Sequence, residues 1–206
     1  MALLKNIILD LGGVLLDIDY HKTKKAFEDL GFDGFDKMYS QYSADAVFAQ
    51  LETGAISTPV FYDTMMYRSG GRIPQQAINT AWNAMLLNFR EETLLFLESL
   101  ARKYSLYLLS NTNAIHLAAF EEIFTAQTGK ASLNNYFTKA YYSHEVGLRK
   151  PNEDIFAFIL EDAGIKASES LFIDDSYNNI ETASRLGFET HLLLPGEKVE
   201  TLQGYW

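Results

Sequence analysis

The feature that most constrains this chain is an alternation of two kinds of segment. Short runs of apolar, β-branched and aromatic residues lie at 6–10 (NIILD), 105–110 (SLYLLS), 139–143 (KAYYS), 170–174 (SLFID) and 189–194 (ETHLLL). Runs this short and this apolar are expected of strands buried on both faces. Between them, 90–103, 113–124, 152–163 and 176–186 carry helical spacing, and Gly187 stops the last of these. Strand and helix alternating at this pitch predict an α/β fold, a doubly wound parallel sheet.

One stretch breaks the rhythm. From about 20 to 89 the sequence reads as helices only (20–30, 44–51, 59–67 and 75–87), punctuated by Gly31, Gly34, Gly54, Gly70, Gly71 and Pro74. This predicts an α-helical cap inserted after the first strand, with residues 18–89 as the cap domain and 1–17 and 90–206 as the core domain. Trp82 and the aromatics at 35, 39, 42, 61, 62 and 67 read as the interior of that helical body rather than as a stack for a ligand.

Composition removes several functions. A formal net charge of −10 with no Lys- or Arg-rich stretch would meet repulsion from nucleic acid and from an anionic membrane, so the expected partner is a small solute. The absence of cysteine excludes disulfides, thiol nucleophiles and thiolate metal sites, and agrees with a reducing compartment. The N-terminal apolar run is too short to span a bilayer, and an acid interrupts it, so a cytoplasmic protein is expected, as a monomer or small homo-oligomer. His21, His116, His144 and His191 share no ligand spacing.

Open parallel sheets bind ligands beyond the carboxyl ends of their strands, where loops and helix N-termini converge. Asp10 closes the first run, Ser110 and Asn111 the second, Lys150 lies in the loop after the third, and Asp174 with Asp175 closes the fourth. Singly, each has an ordinary reading: Asp10 before Gly12-Gly13 as a turn residue, Ser110 as a helix cap, Asp174-Asp175-Ser176 as a cap, Arg149-Lys150-Pro151 as a solvated turn. Together they place three carboxylates and one lysine in one cleft. Such carboxylates repel one another unless a cation sits among them, and oxygen-only ligands suit Mg²⁺. A site holding a metal, a lysine and a carboxylate nucleophile is suited to phosphoryl transfer, with Ser110 and the Asn111 N–H as donors to phosphoryl oxygens.

These residues carry a resemblance. The stretches "ILDLGGVLLD", "LLSNTN", "GLRKPNEDIF" and "LFIDDSYNNIETASRLG", in this order and with a helical segment after the first, resemble the motifs of the haloacid dehalogenase superfamily, in its branch with a helical cap. The likeness spans essentially the whole chain, and the small bacterial sugar-phosphate phosphatases similar to α-D-glucose-1-phosphate phosphatase share its Asp-Leu-Gly opening. The resemblance implies a phosphatase of a small phosphorylated metabolite that works through an aspartyl-phosphate on Asp10. It further implies Mg²⁺ held by Asp10, Asp175 and the Gly12 carbonyl, with Asp174 acting directly or through water. Lys150 would bridge Asp10 and the phosphate, and Asn179 belongs to the fourth motif. The turn "LETGAIS", with Glu52 and Thr53, would hang over the site, and Asp17 would sit at the hinge.

The departure is Gly12. Most phosphatases of the family have an aspartate there to protonate the leaving alcohol, help worth about 10² to 10⁴ in rate. The sequence therefore predicts metal binding and nucleophilic chemistry without that acid, and Asp17 and Asp19 are the acids nearest in sequence. Two alternatives stay open here. A haloacid dehalogenase also lacks this acid, but needs no metal and no paired carboxylate; a non-catalytic binding module would keep the fold and lose turnover.

Overall fold

The computed structural model describes residues 3–32, 35, 38–40 and 43–202. In chain order the elements begin with β1 (Asn6–Leu9), β2 (Leu16–Ile18), α1 (Tyr20–Asp29), β3 (Tyr39–Ser40), β4 (Ser43–Ala44), α2 (Ala46–Glu52), α3 (Thr58–Arg68), α4 (Gln75–Asn83) and β5 (Leu86–Phe89). They continue with α5 (Glu91–Leu100), β6 (Ser105–Ser110), α6 (Ala114–Thr128), β7 (Lys139–Tyr142), α7 (Ser143–Val146), α8 (Glu153–Ala163), β8 (Ser170–Asp174), α9 (Tyr177–Arg185) and β9 (Glu189–Leu192).

A five-stranded sheet in the order β7-β6-β1-β8-β9 is parallel throughout, with Leu9 beside both Leu108 and Ile173. Period-two alternation explains why its runs are apolar without interruption. Ile7, Leu9, Leu106, Leu108, Leu171 and Ile173 pack into one buried cluster, whereas Ile8, Tyr107, Leu109 and Phe172 pack into another with Ile155, Phe156 and Ile159 of α8. Both faces of the central strands are therefore covered, as predicted. The edge strand β9 differs: it is nowhere fully buried, and among the described residues it pairs only with β8.

Residues 20–89 are not helices only. β5 ends the predicted 75–87 helix at Asn83 and pairs antiparallel with β2, Leu16 opposite Phe89 and Ile18 opposite Leu86. β3 and β4 form a second small ribbon. Helical spacing does continue through Met85–Leu87, but β2 leaves the sheet with unpaired backbone groups, and the returning chain satisfies them as a strand. Both connections to the helical segment thus run side by side in one ribbon.

The helical segment has its own aromatic interior. Phe27 stacks on Phe35 at 4.2 Å, and Phe48, Phe61 and Trp82 are buried against them. Tyr39 and Tyr62 join this cluster as expected, but Tyr67 does not: it is 86% exposed, because it lies off the face of α3 that buries Phe61 and Met65. Tyr42 and Gly34 lie outside the described residues. The cluster extends onto α6, where Ile115 enters it and the His116 ring stacks on Trp82 at 4.5 Å.

Candidate active site

The site forms at the carboxyl edge of β1, β6 and β8. Asp10 follows β1, its N–H held by the Ile173 carbonyl at 2.9 Å, and Asp174 ends the neighbouring β8. Adjacent parallel strands in register bring their ends together, so Asp10, Asp174 and Asp175 each offer an oxygen within 4.8 Å of the others. Lys150 enters from the loop before α8. Its Nζ donates to Asp10 Oδ1 at 2.7 Å, Asp174 Oδ2 at 2.6 Å and the Leu109 carbonyl at 2.9 Å, which uses all three ammonium hydrogens. Asn111 fixes that loop: its Nδ2 donates to the Lys150 carbonyl at 2.8 Å and its Oδ1 accepts from the Lys150 N–H at 2.9 Å.

Asp174 is fully occupied. Oδ1 accepts from the Ser176 N–H at 2.8 Å, Oδ2 from Lys150, and Asn179 Nδ2 reaches both oxygens at 3.0 Å. The carboxylate thus braces the turn into α9, whose cap residue Ser176 makes no side-chain capping bond, and at the same time holds Lys150. Asp10, Asp174 and Asp175 together form a group that could hold a metal ion, and of the three Asp174 is the one whose two oxygens already accept protein hydrogen bonds.

The electrostatics agree. Lys150 balances one of three carboxylates, and it is only 1% exposed. Burial pushes the Asp10 carboxyl up to about 7; Lys150 pulls it back, and Asp174 and Asp175 push it further. Burial, followed by the Asp174 charge, lifts Asp175 to about 6 against the pull of Lys150. For Lys150 burial works against the ammonium, but Asp10 and Asp174 outweigh it and hold the group above its ordinary range. Excess negative charge is thus concentrated on two carboxylates that share a buried cleft, an environment that fits a divalent cation with oxygen ligands. Gly13 completes the cradle. Its φ is +75°, and a β-carbon on it would lie 2.4 Å from Asp175 Oδ2.

Position 12 is different. Its φ is not positive, and a β-carbon there would lie 3.0 Å from Ile18 Cδ1, so Ile18 borders the space in which an acid at 12 would start. Asp17 and Asp19 have structural employment. Asp17 forms an ion pair with Arg90, which also donates to the Val14 carbonyl at 2.9 Å and meets Glu200 at 3.4 Å. Asp19 caps α1 by accepting from the His21 N–H at 2.9 Å.

Of the other expected residues, Ser110 is buried at the end of β6, one strand from Asp10. Glu52 points into the protein: it is 3% exposed, accepts from the Tyr39 hydroxyl at 3.1 Å and lies 2.7 Å from Arg149, the neighbour of Lys150. Thr53 turns back on its own helix, donating to the Ala49 carbonyl at 3.0 Å. Gly54 lets this turn press against the core, since a β-carbon there would fall 2.3 Å from the His144 carbonyl oxygen.

Sequence reasoning missed Gly13, Tyr20, Arg90 and Arg149. The Gly12-Gly13 doublet was a signal for the first; nothing local marked the others. A cleft of about 620 Å³ opens beside Asp175, lined also by Gly13, Ile18, Tyr20, Arg90 and the 192–198 loop.

The chain is similar to known proteins. Residues 4–187 match the haloacid dehalogenase-like hydrolase family. The chain is 35% identical over 189 residues to a D-ribitol-5-phosphate phosphatase of Bacteroides thetaiotaomicron, covering 91% of each protein. A haloacid-dehalogenase-family enzyme of the same organism, solved with magnesium and inorganic phosphate, superposes with a TM-score of 0.85 at 34% identity, over 98% of this chain and 100% of that one. A haloacid-dehalogenase-like hydrolase from Porphyromonas gingivalis gives a TM-score of 0.86 at 35% identity, over 95% and 94% of the two chains.

Proposed function

The chain belongs to the haloacid dehalogenase-like hydrolases, and from that premise we propose that it is a Mg²⁺-dependent phosphatase of a small sugar or sugar-alcohol phosphate. The observation that carries the reading is the Asp10 carboxylate, held by a buried ammonium and within 4.8 Å of an oxygen of Asp175, which lines a cleft. The relative that hydrolyses D-ribitol 5-phosphate and the magnesium–phosphate complex of its structural counterpart support the substrate class and the ion.

Each residue has a task in such a reaction. Asp10, Asp175 and the Gly12 carbonyl would hold Mg²⁺, with Asp174 fixing Lys150 instead of coordinating. When bound, the ion offsets the charge of the carboxylates and of the phosphoryl oxygens. Asp10 keeps one oxygen for attack on phosphorus, forming the aspartyl-phosphate, and water then hydrolyses it. Lys150 holds the other Asp10 oxygen and places positive charge beside the transferred group, while Ser110 and the Asn111 N–H donate to its oxygens. The segment spanning 18–89 acts as the cap, and Glu52 ties it to the loop that carries Lys150.

The test is phosphate release from a panel of phosphorylated sugars and polyols, D-ribitol 5-phosphate included, with Mg²⁺ and with chelator, and with Asp10→Asn as control. Turnover that needs Mg²⁺ and Asp10 supports the reading. Halide release from 2-haloacids in chelator, or bound Mg²⁺ without turnover of any member, overturns it. Among the described residues no helix is long and apolar enough to cross a membrane.

A further inference from the structure

Resting on the phosphatase reading, the vacancy at position 12 leaves one step without an owner: the leaving oxygen must acquire a proton. Expelling an alkoxide unprotonated is slow, since its conjugate acid is far weaker than water-stable leaving groups such as nitrophenol. The acids nearest in sequence are engaged elsewhere, Asp17 by Arg90 and Asp19 by the start of α1. Across the cleft, Glu197 accepts from the Leu194 N–H at 3.0 Å and meets His191 at 3.3 Å. Tyr177 is 61% exposed and faces solvent.

Tyr20 is placed differently. It opens α1 immediately after the β2 ribbon, and the Asp19 cap fixes the turn that presents it. It lines the cleft with Gly13, Asp175 and Ile18, and Ile18 is the side chain that a β-carbon at position 12 would meet. Its ring leans on Tyr39 at 6.1 Å. The helical segment delivers Tyr20 to the cleft, so the residue is in place only when that segment is seated on the core.

We propose that the Tyr20 hydroxyl is the catalytic proton donor to the leaving oxygen, doing from α1 what an acid at position 12 would do from the β1 loop. In the first step Asp10 forms a bond to phosphorus, and the bond from phosphorus to the substrate's carbon-bound oxygen breaks with its electron pair on that oxygen. The Tyr20 proton moves to it, so the products are a neutral alcohol, the aspartyl-phosphate and a phenolate. In the second step water attacks phosphorus, the bond from phosphorus to the Asp10 oxygen breaks with its electron pair on that oxygen, and the phenolate takes one proton of the water. This releases inorganic phosphate and restores both the Asp10 carboxylate and the Tyr20 phenol. Burial, and then the charges of Asp175, Asp10, Glu52 and Asp174, keep the resting hydroxyl protonated, as a donor to an alkoxide must be.

The test is a leaving-group series on the Mg²⁺-loaded enzyme, comparing polyol and sugar phosphates with p-nitrophenyl phosphate and acetyl phosphate. For Tyr20→Phe, kcat on the polyol phosphates should fall roughly 10² to 10⁴-fold, while activity on the two activated substrates changes by less than about 10-fold. Equal loss on both classes, or no loss on the polyol phosphates, overturns the assignment. The same holds if Lys198→Met, elsewhere in the lining of the cleft, reproduces the selective loss and Tyr20→Phe does not. If the phenylalanine variant fails to fold, 3-fluorotyrosine at position 20 keeps the ring and acidifies the phenol. A changed dependence of kcat on leaving-group acidity then supports the role, and an unchanged one overturns it. Failure of the phosphatase reading itself is seen separately, as a wild-type enzyme inactive on every member of the series.

Discussion

The α-carbon of Gly13 faces the carboxylate of Asp175 so closely that a β-carbon on it would fall 2.4 Å from Oδ2. The same residue holds φ at +75°, where an L side chain costs about 1–3 kcal/mol. Gly13→Ala therefore has two costs, and the second displaces a metal-site carboxylate. We expect a lower melting temperature together with a weaker Mg²⁺ activation constant, read by calorimetric titration. An alanine variant with unaltered Mg²⁺ affinity would show that Asp175 is not a ligand.

A second expectation follows from the charge crowded around Asp10. Its carboxyl is raised from 3.8 to about 7, so between those values the folded, metal-free protein binds a proton that the unfolded chain does not. Metal-free stability should then decline as pH rises from about 4 through 7, and Asp10→Asn should stabilise the metal-free protein at pH 8 by up to a few kcal/mol. Saturating Mg²⁺ reverses the order, since an ion at 100 times its Kd adds about 2.7 kcal/mol to the wild type. Melting curves of both proteins, with Mg²⁺ and with chelator, check this; a destabilised asparagine variant in chelator would sink it.

Much of this was legible in the sequence because it is local. Strands buried on both faces write themselves as uninterrupted apolar runs; Asp10, Ser110 and Asp174-Asp175 sit where such a run ends, and Lys150 lies in the loop that follows one. What escaped is relational. Whether Met85–Leu87 continues a helix or returns as β5 depends on β2 needing a partner, which no window around residue 86 contains. Arg149 looked like a turn residue because Glu52, its partner, is 97 positions away in the chain and arrives only with the fold. Tyr20 looked like the first residue of an amphipathic helix, and its place in the cleft comes from the angle at which that helix leaves the β2 ribbon.

Glu52 and Arg149 join the helical segment to the Lys150 loop at 2.7 Å, with Glu52 nearly out of solvent and Arg149 28% exposed. Glu52→Gln keeps an acceptor for Tyr39 and removes the charge facing Arg149. Breaking a wholly buried pair costs about 3–5 kcal/mol, and partial exposure of the arginine reduces this to roughly 1–3 kcal/mol. The variant should raise KM more than it lowers kcat, because the cap is less firmly seated while Asp10 and Lys150 are untouched. Steady-state kinetics beside a denaturant titration would separate this from a purely structural loss, which would leave KM unchanged.

His116 gives the seat of the cap an acid limit. Burial holds its imidazole down from 6.5 to about 4, opposed by the Trp82 carbonyl, 3.1 Å from Nε2. Between those values only the unfolded chain takes up the proton, so stability falls as pH drops from about 6.5 to 4 and levels off below. The loss approaches about 3 kcal/mol. In His116→Gln this part of the pH dependence should vanish, although the lost stacking on Trp82 lowers stability at neutral pH. Parallel pH profiles of wild type and variant across that window would refute it.

Position 12 can be asked directly whether Tyr20 has taken over its task. Gly12 has a backbone that accepts an L side chain, and what opposes one is Ile18 Cδ1, 3.0 Å from the β-carbon position. Ile18→Val removes that methyl, at a cost of roughly 0.5–1.5 kcal/mol if the site behaves as a core position. In the Gly12→Asp, Ile18→Val background an acid again stands next to the leaving oxygen. Tyr20→Phe should there lose less than about 10-fold on polyol phosphates, against the roughly 10² to 10⁴-fold loss expected in the wild type. The restored enzyme should also gain a limb in its rate profile that falls as pH rises, which the wild type lacks over the same range, since a carboxyl donor empties as pH rises and a phenol stays protonated. If the penalty for Tyr20→Phe is the same in both backgrounds, the two side chains do not share a function, and Tyr20 is a wall of the cleft rather than its proton source.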